Sequence, residues 1–252
     1  MDFFSSELIS ASLGLLLIAL AGFTSFLTAA IGAGGGLLLL VVMASFMPMA
    51  TVIPVHGLVQ LGSNANRMVL TRRYIDSNML LYFTAGGLLG ALCASFLVSD
   101  LPLDWMKLAV GLFVLYLLWG KRPGIKGSTA LGQALAGVVT TFLSMFVGAS
   151  GPLVGSYLHA KGYQKMCFTA TFSASMTVQH ALKAVVYGAA GFAFWQWLPL
   201  IIAMIGAGTI GTWLGLKVLH TIPAEKFQRS VQIVLSVLSI NLMWQAIEVI
   251  FF

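Results

Sequence analysis

Hydrophobic residues in this chain run in long unbroken blocks, not in the alternation of a surface strand or the narrow stripe of a soluble helix. Apolar blocks occupy 8–31, 37–47, 55–70, 79–98 and 105–119, then 131–147, 153–158, 166–187, 195–219 and 227–252. Glycine knots, prolines and isolated charges separate them. A helix needs roughly 20 apolar residues to cross a bilayer, and most blocks come close to that length. The pattern predicts an all-α polytopic membrane protein of about eight to ten membrane segments. Two blocks fall short. The 37–47 block is about 16 Å long as a helix at 1.5 Å per residue, against roughly 30 Å of hydrocarbon. The 153–158 block is shorter still. Both are expected to be broken or re-entrant helices.

Composition narrows the class. Of 252 residues, 59% are hydrophobic and 8% charged, where soluble domains carry about 25% charge. A soluble fold lacks the interior to hide so much apolar surface, and little chain is left for a soluble catalytic domain. The net charge of +6 is scattered through short loops, as membrane topology requires. No nucleic-acid partner is expected; the lipid bilayer is, and self-association into a homo-oligomer stays open. Asp2 and Glu7 precede the first block where a secretory signal would carry basic residues, so this block is read as a mature helix. Cys93 and Cys167 lie in apolar runs without ligand spacing and read as small buried hydrophobes. No cofactor or metal site is expected.

The chain repeats itself. At an offset of 116, Gly32-Ala33-Gly34-Gly35-Gly36 lies on Gly148-Ala149-Ser150-Gly151-Pro152, and Arg67 on Lys183. At an offset of 121, Gly87-Leu88-Leu89-Gly90 lies on Gly208-Thr209-Ile210-Gly211, Leu101-Pro102 on Ile222-Pro223 and Asp104 on Glu225. The expected organisation is a first repeat over 1–120, a cytoplasmic linker over 121–128 and a second repeat over 129–252, within one membrane domain. Five segments per half is an odd number, so the halves should be inverted relative to each other. With Arg72-Arg73 inside, most remaining cations also fall inside, as the positive-inside rule demands. Both termini then lie outside a cell inner membrane. The counterpart loop, 188–194, has no cation and is followed by Trp195 and Trp197, read as an interfacial aromatic pair.

Candidate chemistry gathers around the knots. Irregular backbone at membrane depth is tolerated where protein buries it or where it lines a cavity. Short, glycine-interrupted segments at matching positions of two halves point to a transporter's binding site. The N–H groups of Gly32, Gly34, Gly35, Gly36, Gly148, Ser150 and Gly151 would offer an anion donors and partial positive charge. Small residues that merely let helices approach would leave the same trace. At about 100° per residue, His56, Gln60, Ser63 and Arg67 share one face of their helix, with Asn64 at its edge. Thr169, Ser173, Met176, His180 and Lys183 share another, with Thr171 and Gln179 off that line. Two cations at equivalent positions, with no acid inside either helix, imply an anionic partner, which a small anionic substrate would supply. The competing reading has Arg67 and Lys183 snorkelling to opposite interfaces.

The knots, the run from Val55-His56-Gly57 to Asn64-Ala65-Asn66-Arg67, the run from Thr171 to His180-Ala181-Leu182-Lys183, Leu198-Pro199-Leu200 and Gly211-Thr212-Trp213-Leu214-Gly215 together resemble the TauE/SafE family of sulfite and organosulfonate exporters. The resemblance spans nearly the whole chain. It implies an inverted-repeat transporter that exports a small sulfur-containing anion, a sulfonate such as sulfoacetate, or sulfite. Ser150 and Pro152 depart from the glycine-rich form of the knot, which makes the two half-sites unequal. Two rivals stay open. Gly148-Ala149-Ser150-Gly151 fits the GxSG motif of a rhomboid-like intramembrane serine protease, with His180 as base, although Gly34 occupies the position of Ser150 in the other half. An uptake transporter of the same fold for another small anion is the second.

Overall fold

A computed structural model describes residues 9–31, 34–98, 103–120, 129–148, 150–218 and 224–251. Among these residues there are ten α-helices and no strands. They are α1 (Ala11–Ile31), α2 (Gly35–Phe46), α3 (Met49–Thr71), α4 (Ser77–Ser95) and α5 (Leu103–Trp119), then α6 (Ala130–Val147), α7 (Gly151–Ala160), α8 (Lys165–Ala189), α9 (Leu198–Val218) and α10 (Ala224–Phe251). The chain is an all-α polytopic membrane protein. Five stretches, in α1, α4, α6, α9 with its preceding turn, and α10, are long and apolar enough to cross a membrane. The side chains they turn outward are apolar, as Leu88, Leu89 and Leu92 on α4 and Ile233, Val237 and Ile240 on α10 show. A lipid surface explains this exposure; water would not.

The two short blocks form short helices. The 12 residues of α2 and the 10 of α7 reach roughly 18 and 15 Å at 1.5 Å per residue, so neither crosses alone. The sequence pattern starts α3 at Val55, but the helix begins at Met49. Pro54 lies in its second turn, where the missing N–H leaves only the nearby Ala50 carbonyl without its helical donor. Cys93 departs from the buried reading: it is exposed on the outward face of α4, while Cys167 is half-buried. The aromatic pair also splits, with Trp195 on the outside and Trp197 packed into the core.

Packing pairs the halves across each other. The α1 helix lies along α9, α4 along α6, α3 along α8 and α5 along α10; α3 also meets α9, and α8 meets α4. Glycines make the close approaches, as small residues do between membrane helices. A methyl group at Gly211 would strike the carbonyl of Gly22, and one at Gly90 would strike that of Val138. A methyl at Gly208 would lie 2.9 Å from Ser25 Oγ, and one at Gly87 would lie 3.1 Å from Thr141 Oγ1. Each contact in one half has its counterpart in the other, since Gly22 and Ser25 are 116 residues before Val138 and Thr141. Side chains repeat the theme. Ser25 Oγ lies 3.0 Å from Ser63 Oγ between α1 and α3, and Gln179 Nε2 donates to Thr141 Oγ1 at 3.1 Å between α8 and α6.

One polar cluster ties the halves together beyond the helix ends. Asp76 precedes α4 and accepts from the Met79 N–H at 2.9 Å. Its other oxygen accepts from the Tyr163 hydroxyl and lies 3.8 Å from Lys161 Nζ. Its own N–H donates to Thr171 Oγ1 at 3.0 Å. Partial burial pushes the Asp76 carboxyl up, but the Met79 N–H, the Tyr163 hydroxyl and Lys161 outweigh it and hold the group below its ordinary value. A depressed folded-state pKa contributes stability above the unfolded-state value, lost as pH falls through the folded-state value. Asp76→Asn is therefore expected to lower the thermal midpoint at neutral pH. The gap to the native protein should close below about pH 4, the ordinary carboxylate range, in a pH series of unfolding scans in detergent.

Candidate functional site

The N-termini of α2 and α7 converge on one small cavity inside the bundle. Gly34, Gly36 and Leu37 line it from α2, Gly151 and Pro152 from α7, His56, Gln60 and Asn64 from α3, and Phe172, Met176 and His180 from α8. Thr28 of α1 completes it. Both helix starts follow from the knots. Gly34 stands at φ 104°, and Gly148, which ends α6, at φ 83°; side chains avoid this left-handed region and glycine does not. Neither Gly34 nor Ser150 caps its helix with a side chain. First-turn N–H groups of α2 are thus left without side-chain partners, and so is that of Gly151 in α7, where Pro152 has no N–H and Leu153 and Val154 donate to the Ser150 carbonyl; the helix dipole adds partial positive charge.

The cavity walls carry polar atoms with unused capacity. His56 and His180 are each 1% exposed, and their rings meet edge to face at 6.3 Å. His56 Nε2 donates to the Gly36 carbonyl at 2.9 Å, because a carbonyl only accepts. The Nδ1 atoms of both histidines are buried without a partner, which costs free energy unless a ligand or water completes them. Asn64 Nδ2 donates to the Gln60 carbonyl at 2.8 Å and to Gln60 Oε1 at 3.3 Å. Arg67 Nη1 donates to Asn64 Oδ1 at 3.3 Å. This chain occupies the acceptor of Gln60 and leaves its amide N–H groups for the cavity.

Arg67 and Lys183 are 1% and 0% exposed, so neither snorkels to a membrane surface. Lys183 reaches back from α8 and donates from Nζ to the Gly148 carbonyl at 2.8 Å. Arg67 keeps a buried Nε without a partner. Neither cation forms an ion pair among the described residues. Four other candidates sit behind the cavity wall. Gly35 presses α2 against Thr24 of α1. Ser150 Oγ donates to Gln179 Oε1 at 2.6 Å, and Gln179 Nε2 donates to Thr140 Oγ1 at 2.6 Å. Thr171 turns away from the cavity to the Asp76 loop. Gly32 lies outside the described residues. Thr28, Leu37 and Phe172 line the cavity without having stood out in the sequence: Leu37 and Phe172 are apolar residues in apolar helices, which carry no signal of their own, and Thr28 spends its hydroxyl on the Thr24 carbonyl of its own helix.

The geometry also bears on the protease motif. The Ser150 hydroxyl is engaged by Gln179, not His180, so the hydrogen bond that a serine–histidine pair requires is not formed. The cavity measures about 30 Å³, room for a water or two. A larger guest would have to part the helices.

Apolar helices around a buried polar cavity, with two half-length helices pointing into it, define a polytopic transporter of the membrane. The chain belongs to the TauE/SafE sulfite exporter family: the family profile, described as Sulfite exporter TauE/SafE, matches residues 16–242. Comparison with characterised proteins and with solved structures finds no match.

Proposed function

We propose that this transporter exports a small sulfur-containing anion, a sulfonate such as sulfoacetate or sulfite, from the cytoplasm by alternating access. One observation carries the reading. Two uncapped helix N-termini converge on a cavity lined by the Gln60 amide and by His180, whose buried Nδ1 has no partner, with two buried cations on the same helices. Among the described residues no acidic side chain lines it. An anion would accept from the Gln60 amide and the His180 ring, and helix N-termini accept anions readily.

The halves act as inverted repeats in this reading. What supports it is the exchange of contacts: α1 on α9 mirrors α6 on α4, and α3 on α9 mirrors α8 on α4. Repeats of this kind rock against each other around a fixed site, which would widen the small cavity. Arg72-Arg73 then faces the cytoplasm of a cell inner membrane with both termini outside, and the contact of the Asp76 loop with Lys161 and Tyr163 supports one side for both loops. Membrane voltage, negative inside, favours an outgoing anion by about 2.3 kcal/mol per charge per 100 mV.

A ligand that binds the native state raises its stability by RT ln(1 + [L]/Kd), about 2.7 kcal/mol at 100 times Kd. Thermal unfolding of the purified protein with sulfite, sulfoacetate, taurine, sulfate, acetate and phosphate is expected to show stabilisation by sulfite or the sulfonates above the other anions. No shift with any sulfur anion would sink the proposal. Release from preloaded vesicles of either orientation reads the direction of transport.

A further inference from the structure

The repeat places the cavity's wall residues in register, and the two walls differ in chemistry. At the offset of 116, His56 corresponds to Phe172, Gln60 to Met176 and Asn64 to His180. All six line the cavity. On the first-half side His56 and Gln60 flank the start of α2: His56 bonds the Gly36 carbonyl, and the Gln60 amide nitrogen lies 3.2 Å from where a Gly36 methyl group would stand. On the second-half side Phe172 and Met176 flank the start of α7. Their tips lie 3.5 and 4.0 Å from where a Gly151 methyl group would stand. The helix starts differ in the same sense. Three consecutive glycines open α2, while Pro152 removes one N–H donor from the first turn of α7. The backbone N–H groups at the start of α2 and the Gln60 amide therefore make the α2 half of the cavity donor-rich, while His56 spends its one N–H on Gly36; beside the start of α7 the wall is Phe172 and Met176, with His180 a turn further on.

We infer that the two half-sites divide the substrate: the α2 half takes the sulfur oxyanion, and Phe172 and Met176 take a short apolar carbon group attached to it, so that among the sulfur anions proposed above the site selects an alkylsulfonate over sulfite and over a sulfonate such as sulfoacetate whose carbon end is itself charged. The inference rests on the anion reading of the cavity. A bare sulfite would leave Phe172 and Met176 with no partner and would set oxygens against carbon and sulfur, where they lose hydrogen bonds to water and gain none. A methyl or ethyl group would instead be withdrawn from water there, and the unbranched Met176 adapts its shape to chains of different length. Unequal half-sites also fix the orientation of the bound anion, oxygens toward α2.

The test is a binding series at constant charge. Methanesulfonate, ethanesulfonate and propanesulfonate all carry one negative charge, and sulfite serves as the ligand without carbon. Affinity of the purified full-length protein, read by thermal stabilisation against concentration, should rise about fourfold for each methylene that finds room. Met176→Gln and Phe172→His, which copy the first-half residues, should flatten that rise and strengthen sulfite relative to the alkylsulfonates, because they turn hydrogen-bonding groups toward its oxygens. Met176→Leu, similar in volume and still apolar, should keep it and shows that the position tolerates change. A flat series in the native protein, or a rise that survives both polar variants, overturns the division of the site but leaves the anion reading intact. Absence of binding by sulfite and by all three sulfonates removes both together.

Discussion

Lys183→Met is expected to leave the protein as stable as before, to within about 1–2 kcal/mol, and to weaken anion binding by about 30-fold. The two effects have separate origins. Lys183 is fully buried, and its ammonium has the Gly148 carbonyl as partner. Methionine has similar length and no charge to desolvate. Removing an ammonium from the interior relieves its desolvation cost, which offsets the roughly 1.5–3 kcal/mol of its charged hydrogen bond to the Gly148 carbonyl. For binding, Arg67 then remains as the second buried cation, on the other half. Lys183 stands one helical turn beyond His180, which lines the cavity; a unit charge acting over one to two turns, at an effective dielectric constant near 20, contributes on the order of 2 kcal/mol, or about 30-fold in affinity. Thermal scans with and without the best-bound sulfur anion measure both numbers on one sample. If stability falls by several kcal/mol while the anion still stabilises fully, Lys183 is a clamp on the end of α6 and not part of the anion's field.

Two adjacent glycines should behave differently when each is changed to alanine. A methyl group at Gly35 would run into the Thr24 carbonyl, whose carbon stands 2.8 Å away. That obstacle is the backbone of α1, so α2 itself must shift. Overpacking of this kind costs about 1–3 kcal/mol. Displacing a binding group by about 1 Å can cost a factor of about 100 in rate, so Gly35→Ala should nearly abolish transport in vesicles. Gly34 meets nothing within 4 Å of the added methyl but stands at φ 104°. Gly34→Ala should cost about 1–2 kcal/mol of stability through the left-handed backbone alone, with transport reduced only a few-fold. Equal transport losses in the two variants would mean that the knot acts through its conformation and not through its seat against α1.

Much of this architecture is legible in residue order. Helix starts and ends follow from proline, glycine and the apolar block lengths, because these act within a turn or two of the chain. Pro54 misled the reading of α3, since a proline in the second turn sacrifices little bonding and the sequence marks no helix start ahead of it. The site was legible in part. Gly34, Gly36, His56, Gln60, Asn64, Gly151 and His180 reach the cavity, and a shared helical face is a strong guide when polar residues stand out against apolar neighbours. Thr171 and Gln179 show where that guide ends. Both are buried polar residues of α8, yet one serves the Asp76 loop and the other Ser150 and Thr140. Their partners lie 29 to 95 residues away in sequence.

The sequence by itself determined a membrane-embedded, all-helical chain, because apolar blocks of that length and charge this sparse have no other stable solvent. It also determined the two broken segments, since glycine alone relaxes the backbone at Gly34 and Gly148, and no block of 10 or 12 residues spans a bilayer. Tertiary structure alone decided what the two cations touch, which side of each knot is apolar, and that Phe172 and Met176 stand opposite the polar wall of α3. Those outcomes depend on helices from different halves meeting through glycine contacts. A side chain's partner there is set by the neighbouring helix, about which its own stretch of chain carries no information.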